Sequence, residues 1–182
     1  MIPWRERMTH VLTWRGALSS RFGLERVYIH LTAIIALPLA AIALLLLSTS
    51  LAYAELRTAA ITLPIVWIGS LIVRVAAQIL AIGSHGDEFE MVIGPGGNIS
   101  NDYQQLSGPA MLSYAVAGQS ATLLLALLGL LVLGAIAPSP ANGLTLVSIL
   151  DFHSGWGSNA WASQIVWVNA FLFGLHLLPP AP

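Results

Sequence analysis

The sequence predicts an all-α membrane protein with about four transmembrane helices and a small β-hairpin-like segment between the second and the third. Of its 182 residues, 57% are hydrophobic and only 8% are charged, and the mean hydropathy is +0.80. Four long apolar runs are separated by more polar segments. These features are typical of a polytopic membrane protein rather than of a soluble domain.

Charge and cysteine content exclude two classes of function. The net charge is −1 and all basic residues are Arg. A nucleic-acid partner is not expected, because a phosphate backbone needs a basic protein surface. The chain has no cysteine, so neither a disulfide framework nor a thiolate metal site can form.

Residues 1–26 form an Arg-rich segment before the first apolar run. They hold five of the seven Arg together with Trp4 and Trp14. Short Arg-rich segments remain on the cytoplasmic side, which predicts a cytoplasmic N-terminus and an integral, multi-pass chain. The segment is expected to be either an interfacial helix at the lipid headgroups or a disordered tail.

The first predicted span covers residues 28–50 and the second covers residues 61–82. Pro38 is expected to kink the first span, and His30 lies one turn inside it. The second span is apolar for 22 residues except for Arg74 and Gln78, and at about 1.5 Å per residue it is about 33 Å long.

Arg74 is the most unusual residue of the second span. Placing its guanidinium in hydrocarbon costs roughly 2.5–3.5 kcal/mol, so it should face protein or water. Ser70, Arg74 and Gln78 are four residues apart and form a polar stripe on one helix face. The stripe predicts either a hydrogen-bonded helix contact or a lined site inside the protein.

The segment from residue 83 to residue 109 is the longest polar stretch. Glu88 to Ile93 reads as a short strand that runs into a tight turn at Gly94-Pro95-Gly96-Gly97. Its acidic residues lack the spacing of a calcium loop, so a solvated loop is expected.

The third predicted span covers residues 110–137 and the fourth covers residues 160–180. Small and polar residues around Gly118 should allow another helix to approach closely. Asn169 and His176 lie inside the fourth span, and the loop before it contains Asp151 and His153. Because the sequence stops at Pro182, directly after the fourth span, either a longer protein that has been cut here or a gene that ends early is expected.

Four short motifs, taken in order, resemble the site-2 protease family of intramembrane zinc metalloproteases over residues 26–182. Val27 to Thr32 is similar to the family's opening motif with His, and Gly94 to Gly97 is similar to its Pro-x-Gly-Gly hairpin. Ala115 to Gln119 resembles its Ala-x-Ala-Gly-Pro, with Gln119 in place of proline. Asn169 to Pro182 is similar to its Asn-x-x-Leu-x-x-x-Asn-Leu-Leu-Pro-x-x-Pro, with His176 in place of the second Asn.

The resemblance implies a site-2-protease-like core for residues 27–182 and a metal site on the second span. In active relatives a His-Glu-x-x-His pair there binds zinc and supplies the general base, and an Asp follows the last motif. The corresponding pair falls at Leu71/Val75, or one residue away at Ser70/Arg74 or Ile72/Ala76. None of these pairs contains a zinc ligand, and the sequence stops before the Asp.

The resemblance therefore predicts a degenerate relative that has no cofactor and acts as a membrane scaffold or client-binding pseudoprotease. Its partners would be the lipid bilayer and a transmembrane client protein. Its vestigial intramembrane site would be built from Arg74, Gln78, Ser70, His30, Asn169 and His176. In this hypothesis Arg74 places a fixed positive charge near the position of the lost zinc ion.

Two alternatives remain open at the level of the sequence. An active metalloprotease would need zinc ligands drawn from His30, His85, His153 and His176, which lie on separate segments. A small channel, transporter or membrane-complex subunit would use a polar pathway lined by Ser70, Arg74, Gln78, Gln119, Asn169 and His176.

Overall fold

The computed structural model describes residues 10–14, 24–50, 55–83, 89–98, 106–136 and 160–177. This part of the chain is mostly helical, with a small sheet. The four helices are α1 (Leu31–Ser50), α2 (Glu55–Gly83), α3 (Gly108–Ile136) and α4 (Ala160–Leu175). The four strands are β1 (His10–Trp14), β2 (Leu24–His30), β3 (Phe89–Gly94) and β4 (Gly97–Asn98).

Each predicted span coincides with a helix, but two helix starts differ from the prediction. Helix α2 begins at Glu55 rather than Ile61, because Glu, Leu, Arg and Ala are good helix formers that an apolar run does not detect. Helix α1 begins at Leu31 rather than Tyr28, since the preceding residues belong to β2.

Helix α4 ends at Leu175, before the predicted boundary at residue 180. The chain then turns at His176 and Leu177, where the Leu177 N–H donates to the Gly174 carbonyl over 3.1 Å. Such a tightened last turn satisfies carbonyl groups at a helix end. The prolines that follow cannot continue a helix.

The N-terminal part of the chain contributes two strands, which corrects the prediction of an interfacial helix or a tail for these residues. Strand β1 pairs antiparallel with β2, with Leu12 opposite Ile29 and Trp14 opposite Val27. Valine, isoleucine, tyrosine and threonine in the two strands favour extended backbone. The other residues before Leu24 lie outside the described ranges.

The predicted β-hairpin is confirmed and is part of a larger sheet with the order β1-β2-β3-β4. Strand β3 turns through Pro95 and Gly96 into β4, with Gly94 opposite Gly97. Strand β2 pairs parallel with β3, with Val27 opposite Met91 and Ile29 opposite Ile93. The sheet therefore pairs backbone groups that an isolated hairpin would leave to water.

The chain divides into two compact units, and three of the helices run through both. The first unit comprises Met1–Leu37 and Leu71–Ala121. It contains the sheet, the C-terminal half of α2 and the N-terminal half of α3. Its buried core consists of Val75, Ile82, Met91 and Tyr114.

The second unit comprises Pro38–Ser70 and Thr122–Pro182. Its most buried apolar side chains include Ala59 on α2, together with Ala162 and Leu172 on α4. The Trp67 and Phe171 rings pack at 5.8 Å between centroids and an angle of 48°. Aromatic and small apolar side chains thus hold α2 and α4 together within this unit.

Within the described ranges, two helices are long and apolar enough to cross a membrane. The qualifying segments are Arg57–Gly83 on α2 and Gly108–Ala135 on α3. The apolar parts of α1 and α4, Leu31–Leu47 and Trp161–Leu175, are shorter. By length and composition alone, these two segments could span a membrane, which agrees with the predicted membrane location.

Several sequence predictions concern residues outside the described ranges. These are His85, Asp87 and Glu88, the loop with Asp151 and His153, and the final prolines. Their predicted roles are not tested by the structure.

Candidate functional site

The central part of helix α2 turns most of its predicted site residues inward. Arg74 is only 2% exposed, and Ser70, Leu71, Val75 and Gln78 are also buried. Of the two alternatives predicted for Arg74, protein or water, the structure shows the side chain against protein. Its burial is notable because Arg is almost never fully buried unless it is paired.

Burial also separates the three possible positions of the family's metal-binding pair. Ile72 is 63% exposed and Ala76 is exposed, so the Ile72/Ala76 pair lies on the outer face of α2. Leu71/Val75 and Ser70/Arg74 are buried. Of the three pairs, only these two therefore face inward.

Arg74 binds the backbone of helix α3 within the first unit. Its Nη1 donates a hydrogen bond to the Gly118 carbonyl oxygen over 3.0 Å. In a continuous helix this carbonyl also accepts the N–H four residues later, so it serves two donors. A charged donor makes the hydrogen bond stronger than a neutral one.

Gly118 permits this close approach. A Cβ atom at position 118 would lie 2.6 Å from Gln78 Nε2, 3.0 Å from Gln78 Cδ and 3.2 Å from Arg74 Nη2. Any other residue would therefore force the ends of these two buried side chains to shift away from the backbone of α3. The sequence prediction that small residues at Gly118 permit close contact is confirmed.

A second polar contact lies in the second unit. Asn169 Nδ2 donates to Ser70 Oγ over 2.9 Å and to the Ile165 carbonyl oxygen over 2.8 Å. Asn169 is fully buried. The amide therefore joins α4 to α2 in the way that polar side chains join membrane helices.

His30 and His176 interact with backbone at helix ends. His30 Nδ1 accepts the Thr32 N–H over 3.3 Å and lies 2.7 Å from Thr32 Oγ1, so it caps the first turn of α1. His176 Nδ1 lies 2.7 Å from the Leu172 carbonyl oxygen and donates to it at the end of α4. These contacts give both residues a structural role.

The residues at the predicted metal position do not fit zinc. Leu71 and Val75 have no donor atom, Val75 belongs to the apolar core of the first unit, and Arg74 is a cation. Among the described residues, no three His, Cys, Asp or Glu side chains lie close enough together to hold a metal ion. The arrangement can hold helices together and can present a buried positive charge.

Sequence reasoning missed Gln164 in the first turns of helix α4. Its side chain is 5% exposed, and neither amide atom has a hydrogen-bond partner among the described residues. Its polarity within an apolar run could have identified it as a candidate, since polar side chains inside membrane segments are rare.

Comparisons with known proteins give no family assignment: no protein-family model, curated protein or solved structure matches this chain.

Proposed function

We propose that this chain is a membrane-embedded scaffold related to the site-2 proteases, which holds a transmembrane client without cleaving it. The observation that carries the proposal is the burial of Arg74 beside Leu71 and Val75. The resemblance places the zinc ligands of active relatives at these positions, where this chain has apolar side chains and a cation.

The distribution of side chains supports a membrane environment. Helix α1 is apolar on every face, and no side chain described on it is buried. Large apolar residues are exposed on all four helices, whereas Arg74, Gln78 and Asn169 are buried. A helix that is apolar all round is stable only in a protein core or in lipid.

The chemistry at the proposed site supports holding rather than cutting. Hydrolysis by a zinc protease needs a metal-activated water and a general base. The buried Leu71/Val75 and Ser70/Arg74 pairs contain no carboxylate and no imidazole, and Ser70 Oγ accepts a hydrogen bond from Asn169. The proposed role is therefore binding through the helix surfaces, with Arg74 as a structural replacement for the metal.

The scaffold role can be tested by photo-crosslinking in native membranes. A photoactivatable residue is placed at one exposed position on each helix, namely Leu39, Ile65, Leu124 or Phe171. We expect one helix surface to give a protein adduct of a single mass, in which the client sequence is intact on both sides of its membrane segment. Lipid adducts at all four positions would contradict the scaffold role, and a cleaved client with stoichiometric zinc would show an active protease.

The structural role of Arg74 is tested separately with Arg74→Leu. Removing the charge should lower the insertion cost of α2 by roughly 2.5–3.5 kcal/mol, and replacing a buried charge by an apolar group is often neutral or stabilising. We expect the amount of folded protein in the membrane to stay equal or to rise. Loss of insertion or expression would contradict the interpretation of Arg74 as a vestige.

A further inference from the structure

Helix α4 carries a buried polar side chain that the proposed scaffold role does not use. Gln164 is 5% exposed and lies in the second unit. Neither Oε1 nor Nε2 has a hydrogen-bond partner among the described residues. Each buried polar group without a partner costs about 1–3 kcal/mol, so a native structure normally supplies one.

Asn169 shows how the nitrogen of a side-chain amide on the same helix is satisfied, although its Oδ1 has no hydrogen-bond partner among the described residues. Both of its Nδ2 bonds are made to protein acceptors, the Ser70 hydroxyl and the Ile165 carbonyl. Its neighbours on α4, Val168 and Leu172, are buried and apolar. Gln164 has the same functional group and a similar degree of burial, but both its nitrogen and its oxygen lack a hydrogen-bond partner among the described residues, whereas Asn169 lacks one only at Oδ1.

The carboxamide chemistry, the charge of α4 and the burial of Gln164 define the kind of ligand that would complete these hydrogen bonds. A carboxamide offers two donors and an acceptor and has no charge, so it suits a neutral group that both donates and accepts. Helix α4 contains no Asp, Glu, Lys or Arg, which disfavours an ion. Burial to 5% exposure leaves no surface that a partner helix could contact. A small neutral molecule meets all three conditions.

We propose that Gln164 is an internal hydration site, at which its carboxamide binds one or more water molecules inside the second unit. Buried water usually makes about three hydrogen bonds to polar groups that the protein leaves unsatisfied. Trp161, which is 45% exposed, lies three residues earlier on α4. Tryptophan is enriched at membrane–water interfaces, so Gln164 lies within about one helical turn of a source of water.

The direct test is nuclear magnetic resonance of the whole chain in lipid nanodiscs, with ¹⁵N-labelled side-chain amides. The Gln164 signals are assigned by their absence from Gln164→Met. We expect magnetisation transfer from water to the Gln164 Nε2 hydrogens and little or none to the Asn169 Nδ2 hydrogens, which the protein binds. If Gln164 receives as little transfer as Asn169, the hydration site is refuted.

Thermal stability gives a second test that needs no assignment. Methionine has the length of glutamine without its polar atoms. If water satisfies the amide, Gln164→Met removes the hydrogen bonds between the amide and that water. The substitution should then lower Tm by about 2–8 °C for a chain of this size. If the amide is dry, the same substitution removes two unsatisfied groups and raises Tm, which would overturn the proposal. Neither result depends on the scaffold role.

Discussion

His30 shows how a polar side chain next to an apolar span can serve the backbone. It directly precedes α1, and its Nδ1 accepts the Thr32 N–H. A backbone N–H can only donate, so this ring nitrogen carries a lone pair and the Thr32 hydroxyl donates to it as well. The side chain thus satisfies one of the donors that every helix N-terminus leaves unpaired.

Removing the cap should destabilise the start of α1. We expect His30→Ala to lower the free energy of unfolding by about 0.5–2 kcal/mol. His30→Asn keeps a capping oxygen and should retain most of the stability. Unfolding in mixed micelles, followed by tryptophan fluorescence, measures both variants. Equal losses in the alanine and asparagine variants would show that the capping bond is not the cause.

For single residues, the sequence predicted which polar side chains are buried better than it predicted their hydrogen-bond partners. A charge or amide inside an apolar run must face inward, which is why the burial of Arg74 and Gln78 could be predicted. The sequence could not predict that Arg74 donates to the Gly118 carbonyl, because the register between two helices depends on packing along their whole length. Gln164 was missed although it is as polar as Asn169, because it lies near the predicted start of the span, where a polar side chain is ordinary.

In helix α3, the sequence alone does not show which glycines pack against another helix. Its glycines look alike in the sequence, yet an added Cβ would meet Gln78 at position 118 and nothing within 4 Å at position 134. At position 129 it would lie 2.9 Å from Val166 Cγ2 and 3.2 Å from the Val166 backbone nitrogen. Two of these three glycines therefore serve helix packing, each within its own unit.

Alanine substitutions at two of these glycines should have effects of opposite sign. Gly118→Ala pushes the buried Gln78 and Arg74 side chains aside and should cost about 1–3 kcal/mol in unfolding free energy. Gly134→Ala meets no neighbour and should stabilise α3 by about 0.5–1 kcal/mol. Denaturant unfolding of the two variants provides the measurement.

A rescue experiment identifies the cause of the loss at position 118. Because Gln78 makes the closest approach, combining Gly118→Ala with Gln78→Ala should recover part of the lost stability. Strict additivity of the two losses would contradict the steric explanation.

Strands were harder to predict than helices. A long apolar run predicts a helix almost by itself, which is why each of the four described helices was predicted. Strand β1 is five residues of mixed character within an Arg-rich segment, and its stability depends on pairing with β2. Tyr28 to His30 were assigned to a helix because hydrophobicity alone does not separate a buried strand from the start of a helix.

For the whole molecule, the main question is which helices cross the membrane. Helices α2 and α3 qualify by length, whereas the apolar parts of α1 and α4 are shorter. If α1 crosses, the N-terminal segment and the residues between α1 and α2 lie on opposite sides. If it does not, they lie on the same side. The Arg-rich N-terminus favours a cytoplasmic start.

The absence of cysteine makes this question directly measurable, because any introduced thiol is the only one in the chain. Ser20→Cys lies in the N-terminal segment and Tyr53→Cys lies between α1 and α2. A membrane-impermeant maleimide applied to intact cells should label Tyr53→Cys and spare Ser20→Cys until the membrane is permeabilised. Leu124→Cys, on an exposed face of α3, is the control and should stay unlabelled in both conditions because lipid covers it. Labelling of both Ser20→Cys and Tyr53→Cys in intact cells would show that α1 does not cross the membrane.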